Sequence, residues 1–198
     1  LLMGSSLYLD LGQLSDNTVQ YIPRNEGKFS INSARQYSRL NTLIVTFCLN
    51  PESDGIVEND VASFYLPASS EDSIESNLVL GGMRMPAFNN TGVRQHWNRL
   101  IRGVGAYGSI GTSTSISATG FGLQAGSATI ARSFAVVFDL EKMSMHTQTG
   151  EPMQTGSGLT VNIEGLGATT GEYATKVFLT AHHSGVLEIR DSGCAIYT

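Results

Sequence analysis

The chain has no stretch of about 18 consecutive apolar residues, the length a membrane-crossing helix needs, so no such helix is predicted. Cysteine is nearly absent, with only Cys48 inside an apolar run and Cys194 near the C-terminal residue Thr198. Two thiols are too few for a disulfide scaffold or a zinc cluster, and both are read as unpaired. Charge is scarce too, at 15% of the 198 residues, which together with 41% hydrophobic residues excludes disorder and a charge-laced coiled coil. Positive charge is the scarcer sign: 12 Lys and Arg against 17 Asp and Glu leave a net −5, so nothing favours nucleic acid or anionic lipid as a main ligand. The opening Leu1-Leu2-Met3-Gly4-Ser5-Ser6 lacks the basic region and the long apolar block of a signal peptide, and it reads like a chain cut from something longer. Without such a signal the sequon Asn89-Asn90-Thr91 is read as accidental.

What the chain does have is short apolar or alternating segments separated by turn residues, many of them among its 22 glycines. The candidate strands are Ser6 to Leu11, Lys28 to Ser33, Leu40 to Leu49, Val61 to Leu66, Ser76 to Met85, Ile130 to Leu140, Gly158 to Glu164, Ala174 to Ala181, Gly185 to Arg190 and Cys194 to Thr198. Leu40 to Leu49 and Ser133 to Phe138 are rich in β-branched and aromatic residues and read as central strands buried on both faces. Thr160 to Glu164 and Lys176 to Thr180 alternate, as strands with a partly solvated face do. The pattern predicts an all-β antiparallel sandwich or barrel of about 8–10 strands within one domain over residues 1–198.

One segment carries helical periodicity instead. From 91 to 104, Val93, Trp97, Leu100, Ile101 and Val104 form a single stripe, with Asn90 or Thr91 to cap its start and Gly103 or Gly105 to end it. Trp97 is expected to be its largest buried anchor, and Arg94, Arg99 and Arg102 are read as a solvated face rather than a nucleic-acid surface. Residues 103–126 follow, with seven glycines, and predict a long Gly/Ser-rich loop or irregular hairpin.

No motif carries chemistry. Gly103-Val104-Gly105-Ala106-Tyr107-Gly108 matches a dinucleotide fingerprint in letters only, because it closes a helix instead of opening one and no acidic residue follows until Asp139. Gly165-Leu166-Gly167 is read as a turn. Asp191-Ser192-Gly193 has the letters of an aspartic-protease triplet, yet Arg190 precedes it and a tight turn explains it better. His182 and His183, adjacent on a strand, point to opposite faces and are read as surface residues at a strand end. His96 and His146 lack a ligand-spaced companion. Met83-Arg84-Met85-Pro86 and Met143-Ser144-Met145 suit core filling or an adaptable contact surface. No catalytic, cofactor-binding or metal-ligating residue is assigned, no cofactor is called for, and the chain is read as a non-enzyme.

The order of segments resembles viral capsid jelly rolls, most of all the second jelly roll of the double-jelly-roll major capsid proteins of DNA viruses and Polinton-like elements. The resemblance rests on Arg39 to Asn50, on Gly81-Gly82 through Pro86 to Gly105, on Phe134 to Lys142, on Thr149-Gly150, on Gly158-Leu159-Thr160-Val161 and on Leu187 to Gly193. A double barrel would need about twice this length. The resemblance implies an antiparallel jelly-roll sandwich with the helix at 91–104 inserted, and a structural coat protein of the virion that assembles with copies of itself and other capsid proteins, as a homotrimer or higher, into an icosahedral shell. It offers no catalytic residues. The alternative reading is a trimeric β-sandwich that binds a receptor or a carbohydrate, and a third is an enzyme built on a β-barrel.

Overall fold

The computed structural model describes residues 7–21, 27–49, 73–103, 116–122, 133–140, 150–153, 158–166, 174–190 and 193–197. Nine strands are found there: β1 (Leu7–Tyr21), β2 (Lys28–Ser33), β3 (Arg39–Leu49), β4 (Glu75–Leu80), β5 (Met83–Thr91), β6 (Val136–Asp139), β7 (Leu159–Glu164), β8 (Ala174–Arg190) and β9 (Gly193–Tyr197). Two helices, α1 (Gly92–Gly103) and α2 (Ala118–Phe121), lie between β5 and β6.

The first eight strands pair by a simple rule. β1 pairs β8, β2 pairs β7, β3 pairs β6 and β4 pairs β5, all antiparallel, as if one long hairpin bent at Gly81–Gly82 had been folded on itself. Two further antiparallel pairings, β3 with β8 and β4 with β7, roll that hairpin into two sheets ordered β1-β8-β3-β6 and β2-β7-β4-β5. This is the strand order of a jelly roll. β9 turns back along the far end of β8, where Arg190 pairs with Gly193.

Alternation places the core between the sheets. β2 buries Phe29 and Ile31, β7 buries Leu159, Val161 and Ile163, and β8 buries Val177, Leu179 and Ala181 from the opposite sheet. From Leu40 to Phe47, β3 is buried on both faces except at Ile44, as its richness in β-branched and aromatic residues predicts. One reason is α1. In register Val137 of β6 faces the same side as Ile44 and Thr42, the outer side of the first sheet, and there the helix C-terminus docks on them. A Cβ on Gly103 would lie 2.5 Å from Val137 Cγ1 and 3.5 Å from Thr42 Cγ2, so the close approach requires glycine.

Several expectations are corrected. Ser76 to Met85 is not one strand, because Gly81 (φ 56°) and Gly82 (φ 83°) adopt the left-handed conformation open to glycine and turn β4 into β5. Ala174 to Ala181 and Gly185 to Arg190 are one 17-residue strand, paired through its polar middle with β1 and β3 on either side. β1 runs on to Tyr21, well past Leu11. Ser133 to Phe138 is buried but not central, since β6 ends the described order of its sheet and takes its second cover from α1. Within 103–126 lies α2, capped by the Ser117 hydroxyl, which accepts from the Gly120 amide at 3.0 Å. Its Phe121 is fully buried, so this part is no surface loop. Val61 to Leu66 lies outside the described residues.

Candidate assembly surface

The helix stripe contains a histidine that periodicity alone does not expose. Val93, His96 and Leu100 are the buried residues of α1, whereas Trp97 is half-buried and lies with its ring 5.1 Å from that of Phe121. His96 Nδ1 lies 2.7 Å from the Gly92 carbonyl and must donate to it, so Nε2 accepts from the Ser76 hydroxyl at 2.9 Å. Burial pushes its pKa down to about 4, with the positive charge of Arg99 pushing the same way and the Gly92 hydrogen bond opposing. A neutral imidazole with both nitrogens satisfied inside the core is a structural group. Phe134 lies 5.5 Å from the His96 ring, 5.0 Å from Phe121 and 6.4 Å from Phe47, which makes it the hub of this corner.

His183 corrects the strand-end reading, for it stands mid-strand in β8 and only 2% of its surface is exposed. Its ring packs at a 30° tilt against that of Tyr37, 4.6 Å between centroids, and its Nε2 lies 3.6 Å from Asp16 Oδ2, while Arg35 closes the group with a 2.7 Å ion pair to the same Asp16 oxygen. Burial and the neighbouring Asp16 charge push the Tyr37 hydroxyl above its ordinary pKa. His182 points the other way, as adjacency requires, and is half-buried. His146 lies outside the described residues, and among those described no three acidic, histidine or cysteine side chains gather as a metal site would need.

A row of amides crosses the outer face of the second sheet. Ser30 of β2 donates to Asn162 of β7 at 2.6 Å, Asn162 to Asn77 of β4 at 2.9 Å, and Asn77 to Asn89 of β5 at 3.1 Å, while Asn89 donates to Glu75 at 2.6 Å and accepts from Arg84. The sequon asparagine is thus committed to its own sheet. The Ser30 hydroxyl and these three amides satisfy one another across all four strands, which suits a structural ladder better than a sugar-binding surface.

The remaining motifs fall as follows. Gly103 ends α1, while the rest of the glycine fingerprint, Asp191, Ser192, Met143 and Met145 lie outside the described residues. Gly165 ends β7 in a turn with φ 79°. Arg94 and Arg102 are exposed and Arg99 donates to Asn90 at 3.2 Å, so the helix's arginines face solvent or its own N-terminal corner. Met85 packs against the core, but Met83 is 56% exposed, and Phe88 on the same strand is 85% exposed. Cys194 is a free, exposed thiol, and Cys48 lies in β3. What these descriptions leave unexplained is apolar surface: Met83 and Phe88 on β5, and Ile189 and Ile196 on β8 and β9.

No family model matches this sequence, and no curated protein matches it either. Solved structures do. A quasi-atomic model of the PBCV-1 virus capsid superposes with a TM-score of 0.53 at 12% identity, over 98% of this chain and 52% of that one. The fold is that of a viral capsid jelly roll. A crystal structure of VP54 of PBCV-1, fitted into a reconstruction of the virophage Sputnik, gives a TM-score of 0.50 at 10% identity over 100% of this chain and again 52% of that one. The Sputnik virophage itself aligns at 0.37, with 8% identity over 98% of this chain and 38% of that one, too distant to add weight. This jelly roll therefore spans about half the length of the capsid chains it matches. Among its described residues no helix is long and apolar enough to cross a membrane.

Proposed function

We propose that the chain is a structural capsid protein, a jelly-roll building block that associates with copies of itself and other capsid proteins, as a trimer or higher assembly, into the icosahedral shell of a virion. One observation carries this reading: over 98–100% of its length the chain superposes on the PBCV-1 capsid proteins, with TM-scores of 0.53 and 0.50. Residues 1–198 form one such block, with 103–126 inside it. The role is architectural, not catalytic, and it places the protein in the capsid. Exposed apolar side chains on β5, β8 and β9 supply contact surface of the kind that assembly buries. The matched chains are about twice as long as this block.

Sedimentation velocity over a wide protein concentration range, with electron microscopy of the concentrated sample, tests the reading. The expected result is a sedimentation coefficient that climbs with concentration through a trimer or larger species. A strict monomer at every concentration overturns it, and selective binding on a glycan array would favour a receptor- or carbohydrate-binding module instead.

A further inference from the structure

The two edges of the sandwich are closed by different chemistry. Where β5 and β6 end the described sheets, α1 buries Val93, His96 and Leu100. Where β1 and β2 end them, the closure is polar and partly in water: Arg35 reaches Asp16 of β1 at 2.7 Å, and the Gln20 amide of β1 donates to the Ser30 carbonyl of β2 at 3.2 Å. Among the described strands β1 pairs with β8 alone, and its register shifts between Asp10 and Gln13. Leu14, Asp16, Thr18 and Gln20 stand opposite His183, Ala181, Leu179 and Val177, so they share the core side of β8. All four are only half-buried, and Ser15, Asn17 and Val19 on the other side are exposed. The seam is also poorly satisfied. His183, 2% exposed, has no hydrogen-bond partner for Nδ1 among the described residues, and its Nε2 stands beyond hydrogen-bond reach of Asp16, at 3.6 Å.

We infer that β1 is an exchanged strand: in the assembly it leaves its own β8 and pairs with β8 of a second copy; the inference rests on the self-assembly proposed above. The fold itself fixes the occupant. β8, Arg35 and the Ser30 carbonyl of one copy offer a second copy's β1 the same register, ion pair and hydrogen bond that they offer their own. β1 is the first of the described strands, so it detaches without drawing another of them with it. Opening costs little apolar burial, because no side chain between 14 and 20 is buried. What opening breaks is a ladder of thirteen paired positions and a partly exposed ion pair, and exchange re-forms both in the neighbour. β6, at the other end of the same sheet, buries Val136, Val137 and Phe138 and cannot leave without opening the core. The link made by β1 joins copies of charge −5 through backbone pairing and matched charges, with no need of a large apolar patch.

The test places a disulfide across the ladder. Asn17 and Thr180 stand opposite each other on the outer side, at a Cα separation that a disulfide spans, so Asn17→Cys/Thr180→Cys is made together with Cys194→Ser, which removes the exposed native thiol. Copies are brought together under reducing conditions, oxidised, and run on a non-reducing denaturing gel. An exchanged β1 links chains covalently, so the associated fraction yields dimers or larger species, and neither single-cysteine variant does. Monomers that carry only an internal disulfide, or equal multimers from a single-cysteine variant, overturn the exchange and leave the capsid reading standing. If the double variant fails to fold, charge reversal decides. Asp16→Arg copies mixed with Arg35→Asp copies recover both opposite-charge pairs only when β1 crosses between them, so mixed dimers exceed their statistical share by about threefold or more. Statistical mixing overturns the exchange. A protein that stays monomeric at all concentrations overturns both readings.

Discussion

His96 shows how one residue can be both invisible in a pattern and decisive in a core. It sits among Val93, Trp97 and Leu100 at helical spacing, and a count of apolar letters assigns the inner position to Trp97, whereas burial belongs to the imidazole. The consequence is a pH dependence with a definite sign. Burial brings the His96 pKa down to about 4 in the folded protein, which holds the ring neutral, while in the unfolded chain it takes a proton near its ordinary value of 6.5. Stability from this group is whole above pH 6.5 and is lost progressively as pH falls toward 4, by at most about 3 kcal/mol. Urea midpoints between pH 7 and 4 should fall over that window, and His96→Phe should flatten this part of the fall. The same corner sets a second expectation. Phe134 has no exposed surface and meets three rings, so Phe134→Ala should cost about 3–5 kcal/mol, and Trp97→Ala, already half in water, clearly less. Equal losses at both positions in chemical denaturation would mean that the helix is anchored by its tryptophan after all.

At the scale of elements, the docking of α1 on β6 depends on the missing side chain at Gly103. In Gly103→Ala the new methyl meets Val137 Cγ1 at 2.5 Å, a short, β-branched side chain that cannot swing away without disturbing the strand. The variant should lose about 1–3 kcal/mol even though alanine is the better helix former, and thermal unfolding of the two proteins measures it. A stabilised variant would show that the helix stands further from the sheet. Elements of this kind were partly legible. Apolar runs and alternation located β2, β3, β7 and β9 within a residue or two, and helical spacing located α1, because each signal is local and strong. The Gly81–Gly82 hairpin and the continuity of β8 were not legible, for physical reasons. Two glycines say that a turn is possible without saying that the flanking apolar residues fold back on each other. His182-His183-Ser184 looks like an interruption until pairing with β1 and β3 on both sides carries the strand through it. The amide row from Ser30 to Asn89 was hidden for the same reason, since its members lie on four strands far apart in sequence and meet only once the register is set.

For the whole molecule, the opposing forces are apolar surface that favours contact between copies and a net charge of −5 that resists it. Burial of Ile189, Ile196, Met83 or Phe88 in contacts is insensitive to modest salt, whereas repulsion between copies is screened over a Debye length of about 8–10 Å near physiological ionic strength. Self-association should therefore strengthen as NaCl rises from low to moderate concentration. The opposite sign identifies the competing use of the surface. If Arg94, Arg99 and Arg102 held a nucleic acid, binding would release counterions and weaken steeply with salt, on the order of a decade or more for a few phosphate contacts over a severalfold increase. The geometry of α1 already bears on that choice, because Arg99 is engaged by Asn90 and only Arg94 and Arg102 extend into solvent, too few for a backbone-tracking groove. Sedimentation equilibrium at several NaCl concentrations, with and without added single-stranded oligonucleotide, separates the two. A rising association constant with salt and no shift on adding oligonucleotide is the outcome that the proposed assembly predicts, and an association that falls with salt would mean that attraction between opposite charges, not apolar burial, holds the copies together.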